Sequence, residues 1–521
     1  MVKKIGKYLA GIDIGTSGAK VAIFSLDGKV VGSGYKEYKC IYPKPNWVDQ
    51  DIDYLLDCTM NSCREALTNS NIDTSEIMSI SLSSQRTCSI FIDKKGKPLR
   101  NMISWQDNRA YLEVEYIKRK ILQEEFYKTT GLPLSTTWLL PKILWFKKNE
   151  PAAWEKVYRI VQVQDYVLKA LGVSNYYCDI SDIVTTGMWD TDYMKWDKKL
   201  MKIAEIEETM LSIPTLSGSC VGKISKKVAE KTGFLEGTPI CVGAGDTNCS
   251  ALGAGIVTNG QVSVSIGTGG IAVAYLDKPY RDPKQRLMVT NHVIHGKWQL
   301  EGFQAGAAGV FRWFKDEIAT MEKLLATSAK ENIYTILDKI VSSTPAGSNG
   351  LIVLPYFASA AAPRWNPNAR GSVIGLTFAH DRACLTRAFM EGITMEQKDI
   401  LNTMSEEIVI NDVRVIGGAA KSNIWNQIQA DMYNMPVKTL RTPDSPVLGA
   451  AMLGGIGIGL FKDVDEATDA MVFIEKRYDP IKKNVRIYNE LYEVYCMAYD
   501  GLTKSGAFNE LARIQKDITI I

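Results

Sequence analysis

The sequence predicts an α/β protein with more than one domain. Apolar, strand-like runs alternate with helical segments through the first half of the 521-residue chain. A strand, a glycine-rich turn and a further strand occur near the start, and the same order recurs in the middle of the chain. Hydrophobic residues make up 46% of the chain and charged residues 23%, which is the composition of a globular protein with a large core.

Periodicity and turn residues place the individual elements. The predicted strands are 8–14, 21–26, 77–82, 89–92, 157–163, 261–266, 271–275, 350–355 and 413–416. The predicted helices are 54–69, 110–120, 151–156, 165–171, 383–404, 424–433 and 447–459. Asp27-Gly28 predicts a two-residue hairpin turn, and 172–235 is expected to be loop-rich with short helices.

Charge and cysteine usage exclude several functional classes. The chain has 61 basic and 58 acidic residues, so neither a nucleic acid nor an anionic membrane is indicated as a partner. No uninterrupted apolar stretch reaches the roughly 20 residues of a membrane span. The ten cysteines form no Cys-x-x-Cys pair and there are three histidines, which argues against zinc and favours reduced thiols. We therefore expect a cytoplasmic protein.

The first glycine-rich turn, in residues 11–20, has the composition of a phosphate-binding loop. Its glycines allow backbone N–H groups to approach an anion, Thr16 and Ser17 add hydroxyl donors, and Lys20 adds charge. Asp13, at the end of the preceding strand, is suited to hold a magnesium-bound water. No helix directly follows the glycines, so neither a Walker loop nor a dinucleotide fingerprint fits. An ordinary glycine-rich hairpin remains the alternative.

Two later segments are also rich in small residues. Residues 267–270, Gly-Thr-Gly-Gly, form the second predicted turn, and two facing turns of this kind would hold opposite sides of one triphosphate. Residues 417–419, Gly-Gly-Ala, lead from a strand towards a helix that Ser422 or Asn423 can cap. Small residues there permit the close approach of a ring or a ribose, although a plain strand-to-helix turn is the alternative.

Asp246 is the catalytic candidate. It follows an apolar strand and a Gly-Ala-Gly turn, where little side-chain bulk would crowd a substrate. Phosphoryl transfer requires positioning, electrostatic stabilisation and a base that accepts the hydroxyl proton, and an aspartate suits that base. The alternative is that Asp246 only caps the following helix.

A polar set at two predicted loops is suited to a polyhydroxylated substrate. Gln85 and Arg86 end one strand, and Trp105 and Asp107 precede a helix. Such residues offer paired hydrogen bonds to hydroxyl groups and an apolar face to the carbon skeleton. The alternative is that Trp105 belongs to the core and that Arg86 pairs with Asp107.

Together these segments resemble the FGGY carbohydrate kinases over nearly the whole chain. Residues 11–20 and 265–269 look like the two phosphate motifs of the family, and 243–246 like the segment with the catalytic aspartate. Residues 417–423 resemble the adenosine motif, and 362–377 are similar to a further family segment. The segment 139–149 departs from the usual first signature of the family, although Lys142 and Trp145 fit it.

The resemblance implies two ribonuclease-H-like domains of the actin-like ATPase type, with the active site in the cleft between them. Residues 1–247 would carry the sugar site and the first phosphate motif, and 248–521 the second phosphate and adenosine motifs. The implied cofactors are ATP and Mg²⁺. The implied ATP-binding residues are Asp13, Gly15, Thr16, Ser17, Lys20, Gly267, Thr268, Gly269, Gly306, Gly417, Gly418, Ala419 and Asn423.

The resemblance further implies roles for the polar set. Asp13 and Asp246 would hold the metal, and Asp246 would also contact the substrate together with Gln85, Arg86, Trp105 and Asp107. We expect phosphorylation of a small sugar or polyol, foremost a pentulose such as xylulose. Glycerol, another polyol or autoinducer-2 remain alternatives, and an actin-like ATPase that acts as a switch or assembly protein is the alternative from a different class. The oligomeric state is open, with a homodimer as one candidate.

Overall fold

The computed structural model describes residues 7–519, which form two compact units. The first unit contains the described residues up to 257 together with 275–299 and 444–473. The second contains 258–274, 300–443 and the described residues from 474 onwards. The sequence predicted two continuous domains that meet between 247 and 248, whereas each compact unit is assembled from three separate segments.

A six-stranded mixed sheet forms the centre of the first unit. The strand order is Cys220–Lys223, Pro239–Gly245, Ile77–Ser84, Tyr8–Ile14, Gly18–Ser25 and Val30–Glu37. The second, third and fourth of these strands are parallel, and the outer pairings are antiparallel. Carboxyl ends of parallel strands meet at one edge of a sheet, where open α/β folds bind their ligands. Asp13 is therefore opposite Ser83, and Gly245 is opposite Ser84.

Side chains alternate between the two faces of this sheet because successive strand residues point in opposite directions. Ile12 and Val21 belong to a core cluster with residues of helix Ile52–Ser70. Leu9 and Phe24 belong to the other cluster, which includes residues of helix Ser445–Gly457. The segment 444–473 thus completes the core of the first unit, although it lies far along the chain.

Within its described residues, the first unit also contains short strands and twelve α-helices outside this sheet. Its other strands are Asp49–Gln50, Ile90–Ile92, Met102–Ile103, Arg159–Val161, Tyr177–Asp179, Trp189–Asp190, Lys195–Trp196, Ile213–Thr215 and Met288–Asn291. Its α-helices are Ile52–Ser70, Tyr111–Lys118, Gln123–Thr130, Leu139–Asn149, Pro151–Trp154, Val163–Ala170, Ile180–Ile183, Lys198–Ala204, Lys226–Thr232, Asp246–Gly253, Ser445–Gly457 and Val464–Met471.

The second unit has its own mixed sheet. Five strands follow one another in the order Gly270–Leu276, Gln261–Ile266, Asp412–Ile416, Val437–Leu440 and Ile474–Tyr478. The three middle strands are parallel. Further strands are Trp298–Gln304, Ile352–Leu354 and Ser372–Ile374. The α-helices are Ala308–Trp313, Thr320–Ala329, Ile333–Ser343, Arg382–Met404, Asn423–Tyr433, Lys482–Lys504 and Ala507–Thr519.

Two local predictions differ from the structure for identifiable reasons. The Ser25 N–H donates to the Lys29 carbonyl, so the hairpin loop holds three residues instead of two, with Gly28 in the left-handed region at a φ of 73°. The helix predicted to begin at Asp165 is Val163–Ala170. The cap of this helix is Gln162, whose N–H donates to the side chain of Asp165 in a capping box. Asp165 is therefore the third residue of the helix and not the first.

Across residues 7–519, none of the helices combines the length and the apolar character that crossing a bilayer would require.

Candidate active site

Asp13 lies at the carboxyl edge of the first unit's sheet. The Ser83 hydroxyl donates to Asp13 Oδ1 at 2.6 Å. The pKa of Asp13 is raised to about 7. Burial is the largest cause and the carboxylates of Asp246 and Asp444 act in the same direction, whereas the Ser83 hydrogen bond and Lys20 oppose the rise. A carboxylate in this position is poorly solvated, so a cation that binds there would be favoured.

The first glycine-rich turn is fastened through its carbonyl groups. The Tyr38 hydroxyl donates to Gly15 O at 2.5 Å, and Gln50 Nε2 donates to Thr16 O at 2.8 Å. In the described part of the chain, the N–H groups of Thr16 and Ser17 have no backbone acceptor. Backbone N–H groups in this state are anion donors. These two N–H groups are thus available to an anion, and phosphate binding by this turn stays a prediction.

Lys20 is less available than the sequence suggested. Its Nζ forms an ion pair with Asp444 Oδ2 at 2.6 Å, and Asp444 directly precedes helix Ser445–Gly457. Asp444 was not singled out from the sequence, because only the chain fold brings the segment 444–473 to this sheet.

Asp246 is the first residue of helix Asp246–Gly253, and its side chain is 39% exposed. The helix cap is Gly245, so the alternative in which Asp246 serves as the cap is wrong. Asp246 Oδ1 instead accepts the neighbouring Thr247 N–H at 2.7 Å. The Asp246 carboxylate is thus oriented by the N–H of the next residue and remains accessible to a substrate.

The strand that leads to Asp246 requires its glycines. A Cβ at Gly243 would lie 1.4 Å from Leu82 O, and one at Gly245 would lie 2.4 Å from Arg86 Cδ. The Gly245 N–H donates to the buried Ser181 hydroxyl at 3.1 Å. These contacts fix the peptide that places the Asp246 carboxylate at the sheet edge.

Arg86 extends across this strand end. Its Nε lies 3.8 Å from Asp246 Oδ1, and its terminal nitrogens donate to Asn248 Oδ1 at 3.3 Å and to Thr247 Oγ1 at 3.0 Å. The alternative in which Arg86 pairs with Asp107 is therefore wrong. The guanidinium instead lies beside the candidate base.

Asp107 belongs to a buried ionic network. Its carboxylate accepts hydrogen bonds from Arg109 and from the Val48 N–H, and Arg109 also pairs with Asp49. Asp107 is 1% exposed. Both oxygens of Asp107 thus have protein partners and are buried. The side chains of Arg86 and Asp246, in contrast, are partly exposed to solvent.

Trp105 and Gln85 connect the substrate loops to the first turn. Trp105 Nε1 donates to Thr16 Oγ1 at 2.9 Å. Gln85 Nε2 donates to Gln50 Oε1 at 3.0 Å, while Gln85 Oε1 is buried without a hydrogen-bond partner among the described residues. Gln50 was missed by sequence reasoning, since it lies in a two-residue strand outside any recognisable motif.

In the second unit, the turn 267–269 follows the parallel strand Gln261–Ile266. The N–H groups of Ala307 and Gly309 donate to Thr268 O, and that of Ala308 donates to Gly267 O. Thr268 is exposed, and within residues 7–519 its N–H and that of Gly269 have no backbone acceptor. Gly306 precedes these donors, and a Cβ there would lie 3.0 Å from Val310 Cγ2.

The segment 417–423 follows the neighbouring strand Asp412–Ile416. Gly417 has a φ of 81°, and Gly418 and Ala419 begin a short 3₁₀ turn. Ser422 accepts the Trp425 N–H at 3.1 Å, so Ser422 is the cap of helix Asn423–Tyr433. Asn423 Oδ1 accepts from the Tyr478 hydroxyl at 2.6 Å and from Lys476.

The carboxylates of the first unit have the chemistry that magnesium requires. Among residues 7–519, no group of three or more His, Cys, Asp or Glu side chains is arranged to surround a metal ion. Mg²⁺ does not need such a cage, because it is bound by one or two carboxylates together with waters and substrate phosphates. Asp13 and Asp246, hard oxygen donors that interact electrostatically, fit this mode.

The chain is similar to several sugar kinases in sequence and in structure. A xylulose kinase of Bacillus subtilis (strain 168) is 30% identical over 495 residues, which cover 95% of this chain and 97% of that protein. A gluconokinase of the same organism is 30% identical over 491 residues, covering 94% of each. The solved structure of ligand-bound xylulose kinase from Lactobacillus acidophilus has a TM-score of 0.88 at 25% identity, covering 97% of this chain and 100% of that one. The fold class is thus that of two α/β domains of the actin-like ATPase type, as predicted.

The family follows from both halves of the chain. The N-terminal domain of the FGGY family of carbohydrate kinases matches residues 8–253, and the C-terminal domain matches 262–458. The chain belongs to the FGGY family of carbohydrate kinases. It is a phosphotransferase that uses ATP to phosphorylate a sugar or polyol, which confirms the predicted family and enzyme class.

Proposed function

We propose that this kinase transfers the γ-phosphoryl group of ATP to a hydroxyl group of a pentulose such as xylulose, with magnesium. The observation that carries the catalytic assignment is Asp246, which is partly exposed at a sheet edge beside Arg86 and electrostatically coupled to Asp13. Xylulose kinases are among the relatives that match nearly the whole chain, and this similarity supports the pentulose.

In the proposed reaction, Asp246 accepts the proton of the substrate hydroxyl group. The hydroxyl oxygen forms a bond to the γ-phosphorus, and the bond between that phosphorus and the bridging oxygen of ADP breaks. Thr16 and Ser17 donate backbone N–H groups to phosphate oxygens, and we assign Thr268 and Gly269 the same role. Magnesium would supply positive charge for the phosphates, with Asp13 and Asp246 as its protein oxygen donors.

Substrate orientation is assigned to the two loops. Arg86 offers a forked donor to substrate oxygens, and Gln85 offers the buried acceptor Oε1. Trp105 supplies an apolar face while its Nε1 is engaged with Thr16. Asp107 contributes by holding Arg109 and the Val48 N–H, since both carboxylate oxygens have those partners.

Substitution of Asp246 tests the base. We expect Asp246→Asn to lower kcat by about 100- to 10,000-fold, because a neutral amide cannot accept the hydroxyl proton. ATP affinity, measured by calorimetry, should remain nearly unchanged. If the variant keeps more than a few per cent of the wild-type rate, Asp246 is not the base.

A panel of acceptors with MgATP tests the substrate. D-Xylulose is expected to give the highest kcat/KM among D-xylulose, D-ribulose, gluconate, glycerol, alditols and dihydroxypentanedione. A higher kcat/KM for gluconate, glycerol, an alditol or dihydroxypentanedione than for both pentuloses refutes the pentulose assignment. The same assay separates a kinase from an ATPase switch, because ADP release by a kinase rises sharply with one sugar.

Gluconate is the second candidate. A gluconokinase is as similar to this chain as the xylulose kinase is, and the Arg86 guanidinium beside Asp246 could pair with a sugar-acid carboxylate. This candidate predicts that Arg86→Met lowers kcat/KM for gluconate far more than for neutral acceptors. Equal losses for both kinds of acceptor would argue against it.

A further inference from the structure

Lys142 is a fully buried cation without a carboxylate partner among the described residues. It lies on helix Leu139–Asn149, and its Nζ donates to Thr87 O at 3.0 Å and to Ser104 O at 2.9 Å. Lysine is almost never fully buried unless its charge is paired. Burial lowers the pKa of Lys142 to about 8, an effect that Arg109 adds to and that Cys88 and Asp107 oppose. An apolar side chain at position 142 would avoid the free-energy cost of burying a charge. We therefore expect the ammonium group to make a structural contact that an apolar side chain could not make.

The two carbonyl groups identify that contact. Thr87 directly follows Arg86, and Ser104 directly precedes Trp105, so one ammonium group joins the two loops that carry the proposed substrate contacts. Thr87 also has a φ of 63°, a conformation that is unfavourable for a β-branched residue and must be stabilised by its surroundings. Its N–H donates to Gln162 Oε1 at 3.1 Å, so both sides of this strained residue are held.

We propose that Lys142 is a positioning residue that fixes the separation of Arg86 and Trp105, and thereby the fit of the sugar between them. The inference rests on the proposed function, which assigns substrate contacts to these two residues. Lys142 does not touch the substrate. It acts through the backbone, so its loss should affect recognition of the sugar and leave recognition of ATP intact.

The same helix offers a matched control. Lys147 is five positions further along, and its Nζ donates to Ala204 O at 3.2 Å, to Glu205 O at 3.1 Å and to the Glu205 carboxylate at 2.9 Å. Like Lys142 it binds two carbonyl groups, but they belong to a segment outside the substrate loops. Lys147→Met therefore removes the same chemical group from the same helix without releasing those loops.

The test compares Lys142→Met and Lys147→Met in the full-length chain, with the acceptor that gives wild-type turnover. We expect Lys142→Met to raise the sugar KM about 10- to 100-fold, the equivalent of one hydrogen bond to a charged group such as Arg86, while the ATP KM stays at the wild-type value. Lys147→Met should leave both KM values at wild-type levels. Thermal unfolding of each variant establishes that folded protein is compared.

A role limited to stability would lower the unfolding temperature without changing the ratio of the two KM values. Equal sugar KM values in the two methionine variants would therefore overturn the inference. If Lys142→Met does not fold, Lys142→Gln takes its place, because its shorter side chain retains N–H donors but cannot reach both carbonyl groups. The same rise in sugar KM is expected, and a wild-type KM would refute the inference.

Arg86→Met separates this inference from the function on which it rests. If Arg86→Met leaves the sugar KM unchanged, the assignment of substrate contacts fails. If Arg86→Met raises the sugar KM and the Lys142 variant does not, only the positioning role of Lys142 fails.

Discussion

The partly buried carboxylate of Asp13 is expected to reduce the stability of the ligand-free protein at neutral and alkaline pH. Its pKa is about 7 in the folded chain, against an ordinary value of 3.8. At about 1.4 kcal/mol per pKa unit, this difference corresponds to at most about 4 kcal/mol. Asp13 is partly exposed, so we expect about half of that after solvent screening.

The direction of the pH dependence follows from which state loses its proton first. Below about pH 4 the carboxyl group is protonated in both states, and it costs no stability. Between about pH 4 and pH 7 the unfolded chain ionises while the folded chain keeps its proton, so stability falls as the pH rises. Above pH 7 the full cost is present.

Asp13→Asn removes this cost while the amide oxygen can still accept the Ser83 hydrogen bond. We expect the variant to gain about 2 kcal/mol in unfolding free energy at pH 8 and clearly less at pH 5, measured by urea unfolding in EDTA. Asp57→Asn, at an exposed position of helix Ile52–Ser70, is the control and should change stability equally little at both pH values. The Asp13→Asn variant should have almost no sugar-phosphorylating activity. A gain of equal size at pH 5 and pH 8, or a loss at pH 8, would refute the reasoning.

Two further predictions concern the substrate loops and the strand before the base. Trp105→Phe removes the Nε1 hydrogen bond to Thr16 and should raise the sugar KM about 2- to 10-fold, the equivalent of one hydrogen bond, in steady-state assays; an unchanged KM would contradict a role for this bond. Gly243→Ala should destabilise the protein by about 3 kcal/mol or more in urea unfolding, because its Cβ would overlap Leu82 O. Gly501→Ala, in helix Lys482–Lys504 with open space around the Cβ, should instead stabilise it by up to about 1 kcal/mol. If the two alanine substitutions change the unfolding free energy similarly, the close approach of residue 243 to Leu82 O does not determine the stability.

The parts of the fold that the sequence predicts well are governed by local interactions. The strands Tyr8–Ile14 and Gln261–Ile266 have their predicted bounds. The first is a nearly continuous apolar run and the second alternates apolar with polar residues, and each ends at a glycine-rich turn. The cap at Ser422 also follows from local chemistry, since a hydroxyl group before a helix readily accepts an N–H from its first turn.

The partners of the site residues depend on contacts between distant segments. Arg86 could have paired with Asp107 on sequence grounds, but Arg109 is two positions from Asp107 and satisfies it, which leaves Arg86 for Thr247 and Asn248. The Arg109–Asp107 pair is local, but no local pattern reveals that Arg86 reaches Thr247 and Asn248, 161 and 162 positions away.

Asp444 could not be found from the sequence for a related reason. Its helix packs against helix Asp246–Gly253 through close backbone contacts, and a Cβ at Gly449 would lie 2.0 Å from Cys249 O. Glycine spacing alone does not reveal which helix is the partner.

The separate segments of the first unit have a consequence for biosynthesis. Leu9 and Phe24 share their core cluster with Val447 and Leu448, which are translated long after the sheet strands of that unit. Residue 473 follows residue 257 by 216 positions, an interval of roughly 10 to 40 s at ribosomal speeds of about 5–20 residues per second. Throughout that interval the sheet face that carries Leu9 and Phe24 is hydrophobic and uncovered in the nascent chain. Chaperone capture during translation is therefore expected to end only when the segment 444–473 has left the ribosome.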